Sequence, residues 1–134
     1  MSPLPSDLDV VNAHRYVSLT TFRRNGTPVS TPVWIARDGG ELVVVTVDPS
    51  GKLKRVGHTS RVELRPCDLR GRVPEGAMTY AGTAVVDRSP QGVAAVKRAI
   101  GRKYLMARLG DALAVVTDRV RRRTPRAGIR ITLT

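Results

Sequence analysis

Six consecutive residues hold most of the chemistry this sequence can offer: Ser50, Gly51, Lys52, Leu53, Lys54 and Arg55. They follow Asp48-Pro49, which ends an apolar run and frees backbone N–H groups where the cations begin. A helix start with small residues and two or three adjacent cations suits a phosphate, through its exposed N–H groups and its dipole. Little else is built for reaction. The chain shows no paired carboxylates and no Ser/His/Asp arrangement, so no catalytic acid or base is named. Cys67 is the single cysteine and His14 and His58 are the two histidines, which argues against a disulfide framework or a Cys/His zinc site. As a nucleophile, Cys67 has nothing nearby in sequence to lower its pKa. His14 falls between a helix and a strand and reads as a structural or surface histidine.

Charge points the same way as the turn. The net charge is +12, and it is uneven: residues 1–48 hold four Arg against five acids, whereas residues 49–134 hold nineteen Lys and Arg against six acids. Such an excess favours an anionic partner, whether nucleic acid, acidic lipid surface or small polyanion, although about half of it can be read as solvated surface. Aromatic residues make up 4%, too few for the stacking platforms of single-strand nucleic-acid binders. No apolar run approaches the length of a bilayer span. Residues 1–5 have neither a basic n-region nor an apolar h-region, so no secretory signal is expected and the chain reads as cytoplasmic. At 134 residues, one domain over 1–134 is expected, large enough for a core without disulfides or metals.

The elements that must position the turn follow from periodicity and turn residues. Ser6 caps a short helix with Asp7 and Asp9 in its first turn. Residues 16–55 read as three strands in a meander leading into a helix over 52–57. The Asn25-Gly26 and Asp38-Gly39-Gly40 turns separate the strands. In the second strand Val29, Thr31, Val33 and Ile35 take one face, and Ser30, Pro32, Trp34 and Ala36 the other. Residues 42–47 are apolar on both faces, which predicts a covered central strand. Strands follow over 59–66 and 78–87, the latter with Gly82 marking a bulge or a close backbone approach. Ser89-Pro90 opens a helix whose Val93, Val96, Ile100 and Tyr104 face inward. A second helical set, Leu105, Leu109, Leu113, Val116 and Val120, leads to Arg119, Arg121, Arg122, Arg123 and Arg126, read as cations completing a helix end. Residues 127–133 close the sheet. Six strands with late helices predict an α+β, mainly β, fold on a small antiparallel barrel with a few peripheral helices. Because one small barrel cannot cover both faces of 42–47, dimerisation through a barrel face is expected.

The run YVSLTTFRRNGTPVSTPVWI at 16–35, with PSGKLKR at 49–55, RVELRPCDLRGR at 61–72 and GIRITL at 128–133, resembles the FMN-binding type of split barrel related to pyridoxamine phosphate oxidase. More narrowly, it is similar to the branch of oxidoreductases that use the deazaflavin coenzyme F420. The resemblance covers roughly 14–133. It implies a homodimer of six-stranded antiparallel split β-barrels with a cofactor groove at each end of the interface. On this resemblance Ser30, Thr31, Pro32, Val33 and Trp34 face the cofactor and Thr46 lines its groove. Ser50, Gly51, Lys52, Lys54 and Arg55 take its phosphate, and Pro66 and Cys67 lie near its ring. Ser60, where relatives often carry proline, and Arg65, where they carry a smaller residue, depart from the pattern; Arg65 leaves substrate choice open.

The implied activity is hydride transfer between reduced F420 and a small-molecule organic substrate, with FMN as the alternative cofactor. F420 carries a phosphodiester and a glutamate tail, so cations concentrated after residue 48 complement it, and Arg forks pair carboxylates in bidentate geometry. Tyr80 reads as a packed strand residue, with proton donation as its alternative role. Two other classes stand beside the enzyme: a cofactor-binding protein without turnover, and a basic nucleic-acid-binding domain, for which no recognition motif accompanies the charge.

Overall fold

The computed structural model describes residues 6–105 and 125–134. Its elements run α1 (Asp7–Asn12), β1 (Tyr16–Phe22), β2 (Pro28–Val33), β3 (Ala36–Asp38), β4 (Glu41–Val47), α2 (Gly51–His58), β5 (Arg61–Cys67), β6 (Tyr80–Asp87), α3 (Pro90–Leu105) and β7 (Arg126–Leu133). The strands form one antiparallel sheet in the order β2-β1-β5-β6-β7-β4-β3. This is the mainly β, split-barrel architecture, with helices at its margins.

Ser6 and Ser89 cap their helices as predicted, and Ser50, read from sequence as a phosphate ligand, is a third cap. Ser6 Oγ accepts from Asp9 N–H at 3.2 Å, Ser50 Oγ from Leu53 N–H at 3.3 Å and Ser89 Oγ from Gly92 N–H at 3.0 Å. Each pairs one of the donors that a helix start leaves open. At the first turn only Gly26 takes a positive φ, +88°, and Asn25 accepts from Thr27 N–H through its side chain instead. The loop is therefore wider than a two-residue hairpin.

Seven strands stand where six were expected, and the three-strand meander is not formed. Its second strand divides at Trp34-Ile35. Residues 28–33 pair with β1 as β2, whereas Ala36–Asp38 pairs with β4 as β3. Alternation alone cannot reveal this, because the in-out pattern continues unbroken across the crossover: Val33 and Ile35 are both buried inside the barrel. The two halves thus lie at opposite ends of the sheet, and the split in the barrel runs between them.

Within the run 42–47, Leu42, Val43 and Val44 are covered on both faces by this chain, whereas Val45 is half-buried and Val47 exposed, and the strand is flanked in the sheet by β7 and β3. Leu42 and Val44 enter the barrel core with Leu19, Leu64, Ile129 and Ile131. Val43 faces α3, where Ala36, Val96, Ala99, Ile100 and Tyr104 form a second buried cluster. Full burial of a Val or Leu side chain stabilises by about 1.5–3 kcal/mol, so α3 is a substantial part of the fold. The cover from α3 reaches Val43, while Val45 and Val47 keep exposed area. The close approach foreseen at Gly82 is real: a Cβ there would stand 2.8 Å from the Thr132 carbonyl oxygen of β7. The second helical set after Leu105, with Arg119, Arg121, Arg122 and Arg123, lies outside the described residues.

Candidate functional site

The split produces a cleft of about 390 Å³ lined by Pro32, Val33, Trp34, Val45, Thr46, Lys52, Ile100 and Arg126. The end of β2 and the crossover form one side, β4 and the start of β7 the other. The first turn of α2 and the apolar face of α3 complete it. No acid stands among these lining residues, so Lys52 and Arg126 give the cleft a net positive wall over a largely apolar bed. Burial lowers the Lys52 pKa, and the charge of Arg55 lowers it further. An anion in the cleft would offset both effects.

Five of the residues singled out by resemblance meet here: Pro32, Val33, Trp34, Thr46 and Lys52. The others are placed differently. Ser30 is exposed and its hydroxyl lies 2.6 Å from that of Thr20 on β1. Thr31 sits on the barrel side of β2, and its Oγ1 is buried without a hydrogen-bond partner among the described residues. Ser50 caps α2. Gly51 is exposed but lies beside the Arg55 guanidinium, since a Cβ on Gly51 would stand 2.7 Å from the Arg55 Nη1. The Arg55 Nε donates to Thr21 Oγ1 at 2.6 Å, which turns that side chain back onto β1. Burial lowers the Arg55 pKa, with the charge of Arg23 second. Lys54 is exposed. Pro66 and Cys67 lie on β5 opposite Val17 and Tyr16, outside the cleft lining. Burial, then the Asp68 charge, raises the Cys67 thiol pKa, in keeping with an unactivated cysteine.

Three lining residues escaped the sequence reading: Val45, Ile100 and Arg126. Val45 and Ile100 were visible only as core-type residues. Arg126 was grouped with the arginines of a helix end, but it begins β7 opposite Val47. Arg130, further along the same strand, is structural: its Nη1 donates to Asp38 at 3.1 Å and Glu41 at 3.2 Å, and its Nε lies 3.7 Å from Asp87.

The pyridoxamine 5'-phosphate oxidase family profile matches residues 7–134. The chain belongs to this family. Among solved structures, an F420 reductase superposes with a TM-score of 0.63 at 19% identity, covering 98% of this chain and 96% of that one. A conserved hypothetical protein from Mycobacterium tuberculosis gives 0.68 at 21% identity, over 97% and 81% of the two chains. The haem storage protein HutZ from Vibrio cholerae gives 0.61 at 11% identity, over 92% and 84%. At these identities the family member shares its fold with proteins of more than one activity. No curated protein sequence matches the chain.

Proposed function

We propose that this family member is a cytoplasmic oxidoreductase that binds coenzyme F420 in the cleft at the barrel split and exchanges hydride with a small organic substrate. The observation that carries this reading is that Lys52 and Arg126 line one cleft, with no acid among its described lining residues, over a bed of Pro32, Val33, Trp34 and Ile100. A planar ring with an anionic side arm fits that combination: the apolar bed suits the ring, and the two cations suit the phosphate. The orphaned Thr31 Oγ1 is a further polar group within the same β2 segment, and Thr46 supplies a hydroxyl-bearing side chain in the lining. When bound, the deazaflavin supplies the hydride chemistry; the chain binds it, orients it and excludes water.

FMN is the second reading, because Lys52 and Arg126 would also hold its terminal phosphate. The wider cation distribution favours F420. Arg23, Arg24 and Lys54 are exposed and a glutamate tail could run along them, whereas Arg37, Arg88 and Arg130 are each paired with acids. Haem is not adopted. Among the described residues, the cleft lining contains no His, Cys, Met or Tyr, the side chains that ligate haem iron, and His58 is exposed beside Arg24.

The protein is proposed to act as a homodimer. The cleft of about 390 Å³ is near the lower end of ligand-site volumes, as expected if a second copy supplies another wall, and Leu69, Met78 and Val85 are exposed apolar side chains available to an interface. Side-by-side titration with F420 and FMN tests the cofactor, and equal affinity at physiological salt would overturn the preference. Substrate-dependent loss of reduced F420 separates an enzyme from a cofactor-storage protein. A 14.6 kDa particle by light scattering at micromolar concentration would remove the shared cleft.

A further inference from the structure

The cleft wall at Trp34 lies in the crossover, between the β2 and β3 ladders. Residues 34–35 form the crossover between β2 and β3 and belong to neither strand, so their backbone groups need partners from elsewhere. The last turn of α3 supplies those of Ile35. Ile35 N–H donates to Tyr104 Oη at 3.1 Å, and Tyr104 Oη donates to the Arg15 carbonyl at 2.7 Å. A phenol has one proton to donate, so the Ile35 carbonyl, 3.1 Å from the same oxygen, depends on a second donor. Lys103 Nζ is that donor, at 2.6 Å, and it also reaches the His14 carbonyl at 2.8 Å. The Tyr104 ring then stacks on the Trp34 indole, with centroids 4.4 Å apart and planes 9° from parallel.

Apolar burial alone does not explain this arrangement. Val96 and Ile100 already fix α3 against β4, and a phenylalanine at 104 would fill the same space as the tyrosine ring. What the hydroxyl and the ammonium add is orientation of the two peptide groups that flank Ile35, one through its N–H and one through its carbonyl, immediately beside the indole that lines the cleft. We propose that Tyr104 and Lys103 are positioning residues that hold Trp34 as a fixed wall of the cleft, against which a flat ring is laid. The ligand-binding part of this proposal rests on the cleft being the cofactor site; the positioning part does not.

Trp34 is the one tryptophan in the chain, so its emission reports this wall alone. The test measures acrylamide quenching of the free protein in wild type, Tyr104→Phe, Lys103→Met, Lys103→Arg and Val96→Ala. A lost hydrogen bond shifts a local equilibrium by roughly 2- to 10-fold, so Tyr104→Phe and Lys103→Met should raise the quenching constant by about twofold or more. Lys103→Arg, which keeps donors for the two carbonyls, should restore it towards wild type. Val96→Ala should lower stability without moving it. If Tyr104→Phe does not fold, Lys103→Met decides by itself. Unchanged quenching in a folded Lys103→Met, or an equal change in Val96→Ala, would overturn the positioning role. Titrations with F420 and FMN should show weaker binding in Lys103→Met for whichever cofactor wild type binds. Raised quenching with unchanged affinity would overturn the wall, while failure of wild type to bind either cofactor would overturn the proposed function and leave the quenching result to decide the positioning.

Discussion

Replacing Lys52 and Lys54 one at a time is the sharpest test of the cleft, because the two cations are near neighbours in sequence and differ in environment. Lys52 lines the cleft and is half-buried, with burial lowering its pKa; Lys54 is exposed. A hydrogen bond to a charged group contributes about 1.5–3 kcal/mol. At about 1.4 kcal/mol per decade, Lys52→Ala should therefore weaken F420 binding roughly 10- to 150-fold. An exposed ion pair contributes about 0–1 kcal/mol, so Lys54→Ala should cost no more than about fivefold. Salt should separate them further: screening at molar ionic strength should erase the Lys54 effect and leave most of the Lys52 effect. Fluorescence titration of F420 at low and high salt measures both, with circular dichroism confirming the fold. Equal losses in the two variants would refute the distinction between cleft and surface cations. An unchanged dissociation constant in Lys52→Ala would move the phosphate elsewhere.

Three further outcomes are expected. Gly82→Ala should destabilise by about 1–3 kcal/mol through overpacking, since its Cβ would meet the Thr132 carbonyl oxygen at 2.8 Å; an unshifted urea midpoint would contradict that close approach. Cys67 should alkylate with iodoacetamide more slowly than free cysteine at pH 7.5, because burial raises its thiol pKa and the thiolate is the reactive form; a rate at or above that of free cysteine would contradict it. Burial lowers the Lys103 pKa from 10.5 to about 8, so between those values the unfolded chain binds the proton that the folded one has released. Stability should then rise with pH across about 8 to 10.5, on the sign of proton linkage. The difference between wild-type and Lys103→Met urea midpoints isolates that contribution, and a flat difference would exclude it.

Most of the fold could be read from sequence because its signals are local. Serine caps, an apolar face at spacings of three and four in α3, and alternation in β5 and β7 each involve residues within a few positions of one another. The crossover at Trp34-Ile35 was not legible for the same reason. Val33 and Ile35 both point into the barrel core, so alternation continues while the hydrogen-bonding partner changes from β1 to β4. Pairing is a long-range property, and a period of two carries no information about it. The covering of Val43 by α3 was missed similarly: apolar residues on both faces establish that something covers them, not what does.

The site shows the same limit, with a consequence for how its chemistry should be divided. Grouping cations by adjacency placed Lys52, Lys54 and Arg55 together as one phosphate-binding set. Residues one or two apart on a helix do not share a face, which separates Lys54 from the other two; Lys52 and Arg55, three apart, are neighbours of like charge, and Thr21 draws Arg55 away. Lys52 turns to the cleft, Lys54 to solvent, and Arg55 back to Thr21 on β1. The second cation in the cleft is instead Arg126, brought in by the pairing of β7 with β4. A phosphate held by Lys52 would therefore find its bidentate partner on a strand far along the chain, and the helix and that strand must both be in place before the pair exists. Ligand affinity should accordingly track the integrity of the β4–β7 pairing as closely as it tracks α2.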